Sequence, residues 1–257
     1  MKKLYKYLLN TLPRPLLIRL SYLFRIIAPT LYKGNNVHCP VCDKSFSKFL
    51  SYGSDVAHRE NVLCPYDLTL ERHRLMWLYL KNHSAFFTQP NLSVLHMAPE
   101  QCFIDRFKAQ KNLNYLTADI VSPIADMHFD LHQIPLEDKR FDVVFCNHVM
   151  EHVQDPIQCM SELFRVMKPG GWAIMQVPQD FSRATTFEDP SIITEADREK
   201  YYWQKDHMRL FGKDYPNYLE KVGFQTDIFN FHSHYSTEEI ERFRIMKDEV
   251  FYIFKKP

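Results

Sequence analysis

The sequence predicts an α/β fold with a largely parallel sheet, on three observations. From residue 91 onward, short apolar segments alternate with amphipathic ones, the order expected of βαβ units. One of them, FDVVFC (141–146), is a near-continuous apolar run, as a strand covered on both faces requires. Polar residues recur just after these segments, at the carboxyl ends of the strands, where open parallel sheets bind ligands.

Asn91–Met97 supplies the first strand, and Pro99 suits the first turn of the helix after it. Asn114–Thr117 runs into Asp119 as the second, DMHFDL follows the third, and FDVVFC is the fourth. Asp155-Pro156-Ile157-Gln158 then opens a helix, with aspartate at the N-cap, proline at N1 and glutamine reaching back from N3. Ile157, Met160, Phe164 and Met167 form its buried stripe, KPGG (168–171) stops it, and GWAIMQVP is the next strand. One rim thereby gathers His96, Ala98 and Glu100, then Asp119, Asp130, Asn147 and His148. Each alone reads as a loop side chain; polar groups at four strand ends read as a site.

The turn VLHMAPE (94–100) contains no glycine. A dinucleotide brings its pyrophosphate against backbone N–H groups, and that approach demands glycine. Asp119 nevertheless lies 21 residues after Ala98, near the spacing of about 20 for an acid that takes ribose hydroxyls. A nucleoside cofactor without phosphate, such as S-adenosylmethionine, needs only a small, close turn, for which Ala98 suffices.

At 257 residues with 46% hydrophobic and 25% charged content, the composition is that of a soluble globular protein. A net charge of +1 gives no global signature of nucleic-acid binding. The charge is uneven, because Lys2, Lys3, Lys6, Arg14, Arg19, Arg25 and Lys33 all precede the first acidic residue, Asp43. Within this arm (1–36), Leu16, Leu20, Leu23 and Ile27 share a helical face with Arg14, Ser21 and Arg25 opposite. That face either docks on the protein itself, the reading the prolines at 13, 15 and 29 favour by limiting the helix to about four turns, or meets anionic lipid through residues 1–33. No uncharged run approaches the ~18 residues of a membrane span. Six cysteines without an export signal suggest a reducing cytoplasm, with the arm allowing a peripheral place at the inner membrane face.

Residues 37–70 carry Cys39-x2-Cys42 and Cys64-x2-Asp67, with 21 residues between the pairs. Two such knuckles bring four ligands to one tetrahedral Zn2+ in a zinc-ribbon-like module, and carboxylate oxygen binds zinc at about the distance of imidazole nitrogen. His38, His58 and His73 are substitutes for Asp67; the opposing reading is cysteines packed as small hydrophobes. A closed four-ligand site is structural, so catalysis belongs to residues 71–257 with a cap at 180–212.

VLHMAPE, YLTADI, DMHFDLHQIPLEDKRFDVVFCNHVMEHVQDP and ELFRVMKPGGWAIMQVP resemble, in order and spacing, a class I S-adenosylmethionine-dependent methyltransferase over roughly residues 90–180. The resemblance extends to a bacterial type with an N-terminal zinc-knuckle pair. It implies a Rossmann-like seven-stranded, mostly parallel sheet with helices on both faces and an antiparallel hairpin at its end. It also implies that His96, Ala98 and Glu100 lie along the methionine half of the cofactor, that Asp119 takes the ribose hydroxyls, that Asp130 and Leu131 meet the adenine, and that Asn147 and His148 sit near the sulfonium. Methyl transfer is an in-line displacement in which the protein positions both partners and can remove a proton from the acceptor. His148, His152 and His207 are the candidates for that proton, and Tyr201, Tyr202 and Trp203 for an acceptor pocket. The sequence does not identify the acceptor: small metabolite, lipid, sugar and macromolecule all fit, and a small or lipid-like molecule is the expectation. Three rival readings are a non-catalytic zinc-ribbon binding protein that contacts nucleic acid through RHR (72–74), a Cys102 nucleophile at a helix start, and an NAD oxidoreductase, which the missing glycine disfavours most.

Overall fold

Pro13 and Pro15 sit where a helix needs no N–H donors, and the first helix, α1 (Arg14–Leu31), begins there and continues past Pro29. The computed structural model describes residues 12–53, 58–246 and 249–257, so Lys2, Lys3 and Lys6 of the basic arm lie outside the described residues. The chain divides into two units, Met1–His83 with Tyr235–Lys247, and Ser84–His234 with Asp248–Pro257.

In the first unit, β1 (Lys33–Cys39) and β2 (Lys44–Phe46) form one antiparallel hairpin, and β3 (Leu50–Tyr52) and β4 (Arg59–Leu63) a second. The helix α2 (Glu71–Asn82) follows. Two-stranded ribbons are marginal alone, and this unit ties its pieces together with a buried arginine. Arg74 donates to the carbonyls of Val62, Thr69, Phe243 and Arg244 and lies 4.7 Å over the Phe49 ring. RHR (72–74) is therefore not a basic surface patch: Arg74 and His73 are buried, and His73 Nδ1 accepts the Leu70 N–H at the start of α2. On α1, self-docking is not what the structure shows. Leu16, Leu20, Leu23 and Ile27 are 41–62% exposed, while Ala28 is buried and Arg25 donates to the Tyr66 carbonyl. Among the described residues no helix is long and apolar enough to cross a membrane.

The second unit holds the sheet. Its elements are β5 (Leu92–Met97), α3 (Gln101–Lys108), β6 (Leu113–Asp119), β7 (Met127–His128), β8 (Phe141–Cys146), α4 (Pro156–Val166), β9 (Met167–Ile174), α5 (Glu195–Tyr202), α6 (Tyr215–Val222) and β10 (Gln225–Phe229); after α7 (Thr237–Phe243), which belongs to the first unit, β11 (Phe251–Lys255) completes it. The strand order is β7-β6-β5-β8-β9-β11-β10. β7, β6, β5, β8 and β9 run parallel, and β11 and β10 form the antiparallel hairpin. This is the expected Rossmann-like, seven-stranded, mostly parallel sheet. Leu95, Val144 and Ala173 from the strands and Met160, Leu163 and Leu219 from the helices share one core.

Three local expectations need correction. Asp155 caps α4 by accepting the Gln158 N–H, but the Gln158 amide donates to the His132 carbonyl, so the reciprocal half of the cap is absent. Met167 is the first residue of β9 rather than the end of α4; the KPGG segment stays within that strand, beside a register shift. Pro99 precedes α3, whose N-cap is Glu100.

Candidate functional site

β5 ends in a tight turn at Ala98, whose φ of 47° is left-handed and whose N–H donates to Ala118 at 2.8 Å. This is the conformation for which glycine is usual, held here by an alanine. The preceding His96 is fully buried, so it lies under the rim rather than on it. Its Nδ1 meets the Tyr115 hydroxyl at 2.7 Å, and its Nε2 contacts Glu100. Asn147 donates to the other oxygen of Glu100 at 3.2 Å and accepts the Gln176 N–H at 3.1 Å. The ends of β5, β8 and β9 are thus joined by one hydrogen-bonded chain, in which His96 positions Glu100.

At the end of β6, one oxygen of Asp119 accepts the N–H groups of Val121 and Ser122. Those bonds fix the carboxylate's direction and leave its second oxygen to be shared. Asp130 is exposed, and His132 holds its carboxyl below the usual range through its backbone N–H and then its ring. Leu131 is buried in the core, so its side chain is not on the rim. His148 follows β8 with a φ of 54°, and its N–H donates to Gln176.

The three candidate histidines surround a residue that the sequence reading passed over. Glu151 is 1% exposed, with His148 Nδ1 at 3.2 Å and His152 Nε2 at 3.9 Å from its Oε1. Burial works against its ionisation, but the His148 imidazole, then His152 and His207, outweigh it and hold the carboxyl below the usual range. His207 is 1% exposed, enclosed rather than presented to an open pocket, and burial lowers its pKa. Arg209, also missed, secures the region. It donates to the carbonyls of Met150, Val153 and Gln154 and pairs with Glu188, so that the strap 206–210 holds the turn 150–154. An arginine two residues after a chosen histidine, HMR, was the only signal available. In the segment 180–212, Tyr202 is core and Tyr201 exposed. Cys102 is buried, which removes the access a nucleophile needs.

In the first unit, Cys39, Cys42, Cys64 and Asp67 place one donor atom each within 4.8 Å of one another. Cys39 Sγ is 3.7 Å from both Asp67 oxygens, and Cys42 Sγ is 3.9 Å from Cys64 Sγ. Bonds of about 2.0–2.3 Å in a tetrahedron imply ligand–ligand edges of roughly 3.5–3.8 Å, so the donor set fits zinc. Burial opposes ionisation of Cys39, but Cys42, Cys64 and the Arg74 charge leave its thiol well below its ordinary value. The substitutes are engaged elsewhere: His38 with Ser45, His58 with Glu60 and His73 with Leu70.

Residues 82–175 match the family described as a methyltransferase domain. That segment, a little over a third of the chain, is similar to a methyltransferase domain. A probable S-adenosylmethionine-dependent methyltransferase of Mycolicibacterium smegmatis is 43% identical over 51 residues, which cover 20% of each chain. An uncharacterized 37.1 kDa protein in a transposon of Streptomyces fradiae is 38% identical over 63 residues, 24% of this chain and 18% of that one. The matches thus span about a fifth of these relatives' length. The crystal structure of a SAM-dependent methyltransferase from Archaeoglobus fulgidus aligns with 71% of this chain and 93% of that chain at 17% identity, with a TM-score of 0.45. The matched segment contains β5, β6 and β8 with their rim residues, and Glu151 and His152; Gln176, His207 and Arg209 lie beyond it.

Proposed function

We propose that the chain transfers a methyl group from S-adenosylmethionine to a small or lipid-like acceptor. The observation that carries the reading is the rim itself: a left-handed Ala98 turn, a carboxylate ending the neighbouring strand and a hydrogen-bonded Glu100–Asn147 pair, all within the segment that matches a methyltransferase domain. Ala98 lets the backbone approach the methionine half, with Glu100 held beside it by His96 and Asn147. Asp119 offers its uncommitted oxygen to the ribose hydroxyls. Asp130 and the backbone at Leu131 border the adenine, and Asn147 and His148 face the sulfonium. The cofactor, when bound, supplies an already activated methyl group, so the residues have only to position and to move a proton. His148 and His152, partly exposed and beside Glu151, are better placed to take one from an acceptor than the enclosed His207.

Two features accompany this reading. Zn2+ at Cys39, Cys42, Cys64 and Asp67 would brace the two hairpins. The exposed face of α1, with Arg19 and Arg25 on the same helix, suits an anionic lipid surface and so a place at the cytoplasmic face of a membrane; intact protein that never sediments with anionic vesicles at low salt would remove it. The activity reading is tested by calorimetry with S-adenosylhomocysteine. Asp119→Ala is expected to weaken binding by about 1.5–3 kcal/mol, the value of a hydrogen bond to a charged group. Unchanged affinity overturns the assignment of Asp119, and no binding by the unaltered protein overturns the cofactor.

A further inference from the structure

Three side chains in the second unit are arranged as the ligands of a metal ion would be. Glu151, His152 and His207 place one donor atom each within 4.8 Å of the others. Among the described residues, Oε1 of Glu151 has only the ion-pair contacts with His148 Nδ1 at 3.2 Å and His152 Nε2 at 3.9 Å, and Oε2 of Glu151 and Nε2 of His207 have no hydrogen-bond partner. A buried polar atom left in that condition costs about 1–3 kcal/mol, and more if charged.

The outer contacts set the tautomers. His207 Nδ1 lies 2.8 Å from the Tyr202 carbonyl and His152 Nδ1 lies 3.3 Å from the Asp206 carbonyl. A carbonyl only accepts, so each Nδ1 carries the proton. In the neutral ring each Nε2 then keeps its lone pair. His152 turns that nitrogen toward Glu151. Two lone pairs and a carboxylate thus face one another, and His148 Nδ1 reaches only one of these four atoms, Oε1 of Glu151; a cation among them would meet the rest. Metal-bound histidines are oriented in this way, with the far N–H on a carbonyl or carboxylate. His148 and His152 both approach Oε1, which leaves Oε2 and His207 Nε2 without a partner among the described residues.

We propose that Glu151, His152 and His207 bind one divalent transition-metal ion of the kind that two imidazoles and a carboxylate select, Zn2+ or Fe2+. Two histidines and one carboxylate leave coordination positions open, unlike the closed set of three cysteines and an aspartate in the first unit. Bond lengths of about 2.0–2.2 Å require the donors to draw together by roughly an ångström. The ion ties the turn 150–154 to the strap 206–210, which Arg209 already aligns, and its open positions suit an oxygen of an acceptor. That last role rests on the methyl-transfer reading; the binding of metal does not.

The test is a titration of the metal-free full chain with Co2+, followed by absorbance, with metal content by elemental analysis after loading with Zn2+. Cobalt bound to thiolate shows intense near-ultraviolet charge transfer and reports the cysteine cluster alone; a nitrogen–oxygen site adds only weak visible bands. The expected result is one equivalent without charge transfer, lost in Glu151→Gln and weakened at least tenfold in His152→Ala, while the charge-transfer signal is unchanged. His152 is partly exposed, so its variant leaves the fold intact even where Glu151→Gln does not, as circular dichroism would show. Calorimetry with S-adenosylhomocysteine on the same samples separates failure of this site from failure of the cofactor reading. A titration in which every equivalent carries charge transfer, or in which His152→Ala binds as tightly as the unaltered protein, overturns the proposal.

Discussion

Arg74 and Arg209 are both buried and both spend their guanidinium groups on backbone carbonyls, yet the two units depend on them differently. Arg74 joins four carbonyls from three separate segments in a unit whose strands form only two-stranded ribbons. Arg209 holds three carbonyls of one turn and a single carboxylate beside a seven-stranded sheet with its own apolar core. The first arginine organises its unit, whereas the second positions one loop on a scaffold that stands without it. A unit built on two-stranded ribbons relies on polar clips, and a seven-stranded sheet can reserve them for its site.

The sharpest way to break this comparison is to remove both arginines in turn. Arg74→Met leaves buried carbonyls unsatisfied in three segments and should cost about 3–5 kcal/mol, as breaking a buried charged network does. Amide exchange should then become fast throughout β1–β4 and α2. Arg209→Met should cost about 2–3 kcal/mol and open only residues 150–154 and 206–210, with the amides of β5, β8 and β9 still protected. Equal losses, or a sheet that opens with Arg209, would contradict the division of labour.

A smaller effect separates the units by pH. In the second, Glu162 accepts the Ile134 N–H at 2.8 Å and pairs with Arg165 at 2.7 Å; the Arg165 hydrogen bond, above all, lowers its pKa from 4.5. The unfolded chain therefore takes up this proton at higher pH than the folded one. The stabilisation is fully present above about pH 4.5 and is lost as pH falls through the folded value. Glu162→Gln should lower stability by about 1 kcal/mol at neutral pH and flatten the acid limb of the sheet unit's unfolding alone. A steeper limb, or the same change in the first unit, would rule out the assignment.

What could be read from the sequence was what repeats or alternates. The parallel strands and the α4 cap at Asp155 are local patterns, and each gave its element. His96 was misplaced because strand periodicity cannot say which polar residue faces inward when a partner such as Tyr115, 19 positions on, satisfies it there. Glu151 was passed over because HVMEH drew attention to its histidines, and only the fold brings His207 to the same carboxylate from 56 positions away. Arg74 looked like surface charge because its four acceptors are scattered over 182 residues, from Val62 to Arg244. Long-range polar pairing leaves no periodic trace.

The smallest expected effect concerns strain. Ala98 in the second unit and Leu68 in the first both hold positive φ, 47° and 59°, and both donate their N–H to a fixed carbonyl, Ala118 and Cys64 respectively. A left-handed conformation costs an L residue roughly 1–2 kcal/mol, and glycine avoids this while losing more entropy on folding, about 0.5–1 kcal/mol. Ala98→Gly gives up only a methyl group, so it should stabilise the sheet unit by up to about 1 kcal/mol in urea unfolding. Leu68→Gly gives up a half-buried side chain, and its loss of packing should cancel the gain. If Ala98→Gly instead destabilises, the turn after β5 is not strained, and alanine is there because its methyl packs. Affinity for S-adenosylhomocysteine then decides between strain and shape: a turn that alanine holds in the binding geometry should bind more weakly as glycine even while the protein becomes more stable.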